Sequence, residues 1–170
     1  NITIFVQIDG GLKYGIARNE NGRLSLTDLA GTGNEVTMTY DNVFDSKATE
    51  KELFNEVYVP QLEYALAGYR SAVFGFDKAG INEKQFALLD SSVQLSIDYI
   101  FLRSESVAGG LNVQWALFDF YCDTATDIGV GADAVIPVLS AASVMSALRP
   151  ASTAEDAKSE IAVALKQRAS

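Results

Sequence analysis

The stretch from Thr49 to Lys84 constrains the fold more than any other. Thr49-x-x-Glu52 has the form of a capping box, in which two side chains satisfy the free amides of a helix start. Phe54, Val57, Gln61, Leu62, Ala65 and Leu66 then recur at spacings of mostly three or four residues, the period of one helix face. Pro60 lies inside that pattern and should kink it, because it lacks an N–H and crowds the preceding turn. Gly68 is a natural stop. Ser71–Phe76 follows as a short apolar strand, expected to be buried on both faces. After it comes a second helical pattern, from about Lys84 to Arg103, with Phe86, Leu89, Val93, Ile97 and Ile100 as its apolar stripe.

Around this unit the chain alternates strands and helices. Ile2–Ile8 reads as a buried strand turned by Asp9-Gly10-Gly11. Arg23–Thr27 and Glu35–Tyr40 read as short strands, with turns at Asn19–Gly22 and Gly31–Asn34. Leu111–Tyr121 is the longest strand candidate. Ser140–Leu148 reads as a short helix stopped by Pro150, and Glu160–Lys166 as a last strand. Such alternation predicts an α/β sandwich around one sheet. A length of 170 residues suits one domain with its own core.

Charge and composition exclude several functions. Against 13 Lys and Arg stand 22 Asp and Glu, a net charge of −9 that repels phosphate backbones and anionic lipid surfaces. Nucleic-acid and membrane-surface binding are therefore not expected. No stretch approaches the roughly 20 apolar residues that span a bilayer. Asn1–Ile8 has neither the basic start nor the cleavage site of a signal peptide. Cys122 is the single cysteine and there is no histidine, so no internal disulfide forms and the commonest general base and zinc ligand are missing. Cys122 is expected as a small buried thiol and Trp115 as a core residue. The acidic Glu50–Glu56 face is expected to be solvated, and Asp119, Asp123 and Asp127 to have no metal role.

Tyr40–Phe76 reads YDNVFDSKATEKELFNEVYVPQLEYALAGYRSAVFGF. It resembles the kinesin motor head at Tyr40, Asp41, Val43, Phe44, Ala48, Thr49, Pro60, Leu66, Gly68, Tyr69, Val73, Phe74 and Phe76. Phe118-Asp119-Phe120-Tyr121-Cys122-Asp123, with Asp127-Ile128 after it, is similar to a later motif of that family. Lys158-Ser159-Glu160 falls where the family has Arg-Ser-His. The resemblance implies an α/β fold of three layers, α/β/α, kinesin-motor-like and related to P-loop NTPases. It implies a mixed sheet with helices on both faces, and a partial or truncated head in one domain, 1–170. Asp28-Leu29-Ala30-Gly31 looks like the family's second switch, but comes over a hundred residues too early and reads as a coincidence.

The same resemblance sets an expectation for the chemistry. Its phosphate-binding loop is Gly-x-x-x-x-Gly-Lys-Ser/Thr, whose amides cradle phosphates while the Lys neutralises them. Without a gap, Asp77 and Asn82 replace the outer glycines, Gly80 matches a middle one, Glu83 takes the Lys position and Lys84 the hydroxyl position. At about 4 Å and an effective dielectric near 20, unit charges interact by roughly 4 kcal/mol, so Lys-to-Glu swings a phosphate by about 8 kcal/mol. A one-residue gap returns Lys84 to the cation position. The adenine-packing strand end is Gln7-Ile8-Asp9-Gly10, and the first switch is Asp156-Ala157-Lys158. The expectation is therefore a degenerate nucleotide loop at Asp77, Gly80, Asn82, Glu83 and Lys84. No catalytic residues, cofactor or metal are expected, and the chain is read as a non-enzymatic interaction module. Its expected partners are cytoskeletal or axonemal proteins, among them another kinesin chain, in the cytoplasm, cytoskeleton or a cilium or flagellum. The alternatives are a divergent ATPase motor using Lys84 in a reshaped loop, or an inactive subunit of a kinesin heterodimer.

Overall fold

A computed structural model describes residues 2–7, 16–19, 23–27, 35–45, 47–75, 83–107, 109–122, 124–130, 134–136 and 140–169. They fall into two units, Asn1–Phe74 and Gly75–Ser170.

In the first unit, β1 (Phe5–Gln7), β2 (Ile16–Asn19), β3 (Arg23–Thr27), β4 (Glu35–Thr39) and β5 (Asn42–Phe44) precede a long helix. β2, β3 and β4 form an antiparallel meander, with Leu24 opposite both Arg18 and Met38. β1 and β5 pair in parallel, Val6 opposite Val43. Asp41 locks the entry to that pair. Its carboxylate accepts the Ile4 N–H at 2.7 Å, and its own N–H donates to the Ile4 carbonyl at 3.0 Å. Val43 and Phe44 are then buried, with Phe44 stacked on Phe5 at 6.2 Å.

The helix follows the expected signals closely. Glu52 N–H donates to Thr49 Oγ1, and Thr49 N–H donates to Glu52 Oε2, so the capping box is complete. α1 (Glu50–Leu53) runs into a π-helical turn, Phe54–Tyr58, and then α2 (Val59–Leu66). Pro60 explains the interruption. It has no N–H to offer the Glu56 carbonyl and its ring crowds that position. The helix widens ahead of it, and Val59 N–H donates to the Phe54 carbonyl, five residues back. Leu53 and Phe54 are buried. Gly68 ends the helix at φ +91°: its N–H donates to Ala65 and that of Tyr69 to Tyr64, the two bonds of a Schellman motif. The expected strand at Ser71–Phe76 is not formed among the described residues: 71–75 belong to no ladder and are exposed, and Phe76 lies outside the described residues.

The second unit opens with α3 (Glu83–Ser104), within a residue of the expected span at each end. β6 (Gln114–Trp115), β7 (Phe118–Tyr121), β8 (Thr124–Asp127), a 3₁₀ turn Ile128–Val130, β9 (Ala134–Ile136), α4 (Ala141–Ala147), β10 (Arg149–Pro150) and α5 (Ala154–Ala169) follow. β7, β8 and β9 form an antiparallel meander, and β6 pairs with β10. The single long strand expected over Leu111–Tyr121 is thus two short strands in different ladders. Ser140 caps α4 through reciprocal bonds with Ser143. The last element is a correction: Glu160–Lys166 lies in the middle of α5, not in a strand. Thr153 and Asp156 start that helix with their own capping pair, at 2.7 and 3.1 Å. Ala157, Ile161, Ala164 and Leu165 recur at three- and four-residue spacing and form its buried face. α5 packs on α3 and on the 3₁₀ turn. Across both units the described strands form four small sheets, one parallel pair and three antiparallel, with helices between them.

Candidate functional site

The residues singled out for nucleotide chemistry are divided by the structure. Asp77, Gly80 and Asn82 lie outside the described residues, as do Ile8, Asp9 and Gly10 of the adenine-side strand end and the Asp28-Leu29-Ala30-Gly31 motif. Glu83 and Lys84 are the first two residues of α3. A helix start directly after a phosphate loop is what such a loop requires, since the free amides of the first turn and the helix dipole favour an anion there.

The first-switch residues do not form a loop. Asp156, Ala157 and Lys158 are in the first turns of α5. The Asp156 carboxylate accepts from the Thr153 hydroxyl, and Ala157 is buried. Lys158 Nζ reaches Asp98 of α3 at 2.8 Å and Glu155 at 2.7 Å. Asp98 first, then Glu155, raise the Lys158 pKa above its ordinary value. These groups hold two helices together.

The best-built polar cluster was not foreseen. Asp127 is buried at the end of β8, and Arg149 Nη2 donates to its Oδ2 at 2.8 Å. Gly129 N–H donates to Asp127 Oδ1 at 3.0 Å, and Arg149 Nη1 to the Ala147 carbonyl at 2.9 Å. The guanidinium lies over the Trp115 ring, 5.1 Å from its centroid, and Trp115 Nε1 donates to Glu160 at 3.2 Å. Every polar partner here belongs to the chain, so the cluster ties β6, β8, β10 and α5 together. A buried carboxylate calls for a cation, yet Arg149 stands 22 residues away in sequence, and its placement follows from the β6–β10 pairing. Trp115 is half-buried against this cation. Cys122 departs from expectation: it sits at the β7–β8 turn with φ +51° and is exposed, because a hairpin tip turns its side chain outward.

An open groove of about 330 Å³ in the first unit is lined by Asp45, Glu52 and Glu56 against one cation, Lys47. Three carboxylates against one ammonium disfavour a phosphate ligand. Among the described residues no group of three or more His, Cys, Asp or Glu is placed to hold a metal, and no helix is long and apolar enough to cross a membrane.

No family profile matches the chain. It is 41% identical over 55 residues, 32% of its length, to kinesin-like protein KIN-12B of Arabidopsis thaliana, covering 4% of that protein. To kinesin-like protein KIN-14C of the same organism it is 24% identical over 151 residues, which are 75% of the chain and 18% of that protein. A fast kinesin solved for its ATPase mechanism and its interactions with microtubules superposes with a TM-score of 0.76 at 14% identity, over 99% of the chain and 53% of that structure. Mutants bearing on activation of the kinesin motor ATPase give 0.72 at 15% identity, over 99% and 59%. The chain therefore spans less than a fifth of these curated relatives and little more than half of the solved heads. The α/β, kinesin-motor-like and partial fold expected from the sequence is the fold observed.

The expectation of a chain outside ATP hydrolysis is corrected by these matches, because the solved structures sharing its fold are named for a motor ATPase. The physical weakness of that expectation lay in the loop. The swing from Lys to Glu presumed an ungapped register through 77–82, and changing a loop by one residue costs little.

Proposed function

The chain is kinesin-motor-domain-like and partial, and on that premise we propose that it forms one portion of the ATP-driven head of a microtubule-associated, kinesin-like protein. The two units are parts of that one head. The carrying observation is the order of elements: the kinesin-like segment from Tyr40, the Schellman stop at Gly68, and, beyond Asp77–Asn82, a 22-residue helix that includes Glu83 and Lys84 in its first turn. In this reading Lys84, shifted by one residue, is the cation that meets the phosphates. Gly80 provides the close backbone approach, and the first amides of α3 complete the anion cradle. Asp77, Asn82 and Glu83 make the loop a divergent one.

The track is the microtubule, as in the fast kinesin whose fold the chain shares. The setting is the cytoplasmic cytoskeleton, with the microtubules of a cilium or flagellum as a special case and a second kinesin chain as a further partner. Steady-state phosphate release by the intact polypeptide, with and without microtubules, tests the reading. Stimulated release should fall at least ~100-fold in Lys84→Ala, since a lost charge contact near 4 kcal/mol corresponds to about three decades. An intact protein that releases no phosphate, or one whose rate ignores Lys84→Ala, sinks the assignment.

A further inference from the structure

Between β10 and α5 the chain presents a hydroxyl with no structural duty. Ser152 and Thr153 form a bend there, and both are exposed. The Thr153 hydroxyl is engaged in both directions with Asp156, donating to its carboxylate at 2.7 Å and accepting from its N–H at 3.1 Å. The Ser152 hydroxyl makes no hydrogen bond among the described residues. Charged residues flank it on both sides: Arg149 stands three positions before Ser152, and Glu155 and Asp156 stand three and four positions after it. Protein kinases select substrates by such charge patterns. A preceding Arg suits a kinase with an acidic substrate groove, and following carboxylates suit one with a basic groove. By sequence alone Ser152 offers both patterns. The fold leaves one. The Arg149 guanidinium donates to Asp127 at 2.8 Å and to the Ala147 carbonyl at 2.9 Å, lies over the Trp115 ring and is only 22% exposed. Pulling it out would strand the buried Asp127 carboxylate. Glu155 is 84% exposed although one of its oxygens reaches Lys158, and Asp156 is exposed as well. Lys158 is shared with Asp98, so it does not neutralise these two carboxylates. The start of α5, held by an exposed capping pair, frays readily, so Ser152 and the acids behind it are readable while Arg149 stays anchored.

We propose that Ser152 is a phosphorylation site for an acid-directed Ser/Thr protein kinase using Mg-ATP. Ser152 Oγ attacks the γ-phosphorus of the kinase-bound ATP. The Oγ–P bond forms, the bond from that phosphorus to the β–γ bridging oxygen breaks, the hydroxyl proton passes to the kinase's general base, and ADP leaves. The product places about −1.5 to −2 charge just ahead of α5, the helix whose first turns carry Asp156, Ala157 and Lys158. The proposal rests on the exposed bend and not on ATP hydrolysis by this chain, so a head without ATPase activity would leave it standing.

The test uses the whole polypeptide that carries this sequence, incubated with Mg-ATP and either casein kinase 2, as the acid-directed probe, or cyclic-AMP-dependent protein kinase, as the Arg-directed one. Mass spectrometry should place phosphate on Ser152 with the first and not with the second, and Ser152→Ala should abolish it. The initial rate at Ser152 should fall at least ~10-fold in the double variant Glu155→Gln, Asp156→Asn, because the kinase's basic groove then meets no charge. No phosphate on Ser152 of the folded protein, equal modification by the Arg-directed kinase, or a rate indifferent to the two carboxylates in a folded double variant, each overturns the proposal. The comparison of the two kinases is made on the unsubstituted protein, so a misfolded variant does not decide the result.

Discussion

Gly129 shows how tightly the Asp127–Arg149 pair is enclosed. A Cβ at that position would lie 2.6 Å from Arg149 Nη1, 2.8 Å from its Cζ and 3.0 Å from Trp115 Cζ3. The guanidinium is held by Asp127, the Ala147 carbonyl and the Trp115 face, so it cannot move aside freely. Gly129→Ala should therefore cost about 1–3 kcal/mol through overpacking. Arg149→Ala should cost about 2–3 kcal/mol, since it strands a buried carboxylate, with the figure reduced because Arg149 is itself 22% exposed. Urea melts of the two single variants and the double variant check this. The Gly129→Ala penalty should shrink in the Arg149→Ala background, because the atoms it strikes are then gone. Additive losses would show that the two residues act separately. Asp127 was legible as a residue of interest through its place in a family motif, whereas Arg149 was not, since nothing local pairs positions 22 apart.

At the scale of elements, the helix from Glu50 to Leu66 was legible almost residue by residue. Its signals are local: a capping box, a proline and a glycine each act within one turn. Thr49→Ala should cost about 1 kcal/mol by removing the cap. Glu52 has a pKa lowered from 4.5, first by its hydrogen bond from the Thr49 backbone and then by that from its hydroxyl. A lowered carboxylate stabilises the fold above its unfolded pKa and loses that contribution as pH falls through the folded value. The gap between wild type and Thr49→Ala should therefore narrow on acidification below about pH 4.5 in a pH series of thermal melts. Gly68→Ala meets no atom within 4 Å, so its cost, about 1–2 kcal/mol, comes from the backbone at φ +91° alone. Asn at that position should recover part of it. Lys158 obeys the opposite sign. Its raised pKa keeps the α3–α5 link intact at neutral pH and releases it only as pH climbs beyond 10.5. α5 was misread as a strand because Ile161–Leu165 is a short apolar run, which periodicity alone cannot assign. Its capping pair at Thr153 and Asp156 was the available signal.

At the scale of the whole molecule, charge and incompleteness set the terms. A net charge of −9 makes this portion a poor surface for any acidic partner. If the microtubule is the track, its contact surface should lie mainly outside these residues. Lys47→Glu and Lys51→Glu in the intact protein should then leave microtubule co-sedimentation within about twofold at fixed salt. A tenfold loss would place the track on this portion instead.

Local chemistry was enough to specify the helices at Glu50–Leu66 and Glu83–Ser104, the Gly68 stop, the strand at Arg23–Thr27, the strand expected over Glu35–Tyr40 and observed over Glu35–Thr39, and the family likeness of Tyr40–Phe76, because each rests on signals within a few residues. Tertiary structure alone decided that Arg149 meets Asp127, that Leu111–Tyr121 divides between two sheets, and that Ser71–Gly75 has no sheet neighbour among the described residues. Those outcomes depend on which distant segments arrive alongside, and a backbone becomes a strand only when another strand is there to bond it.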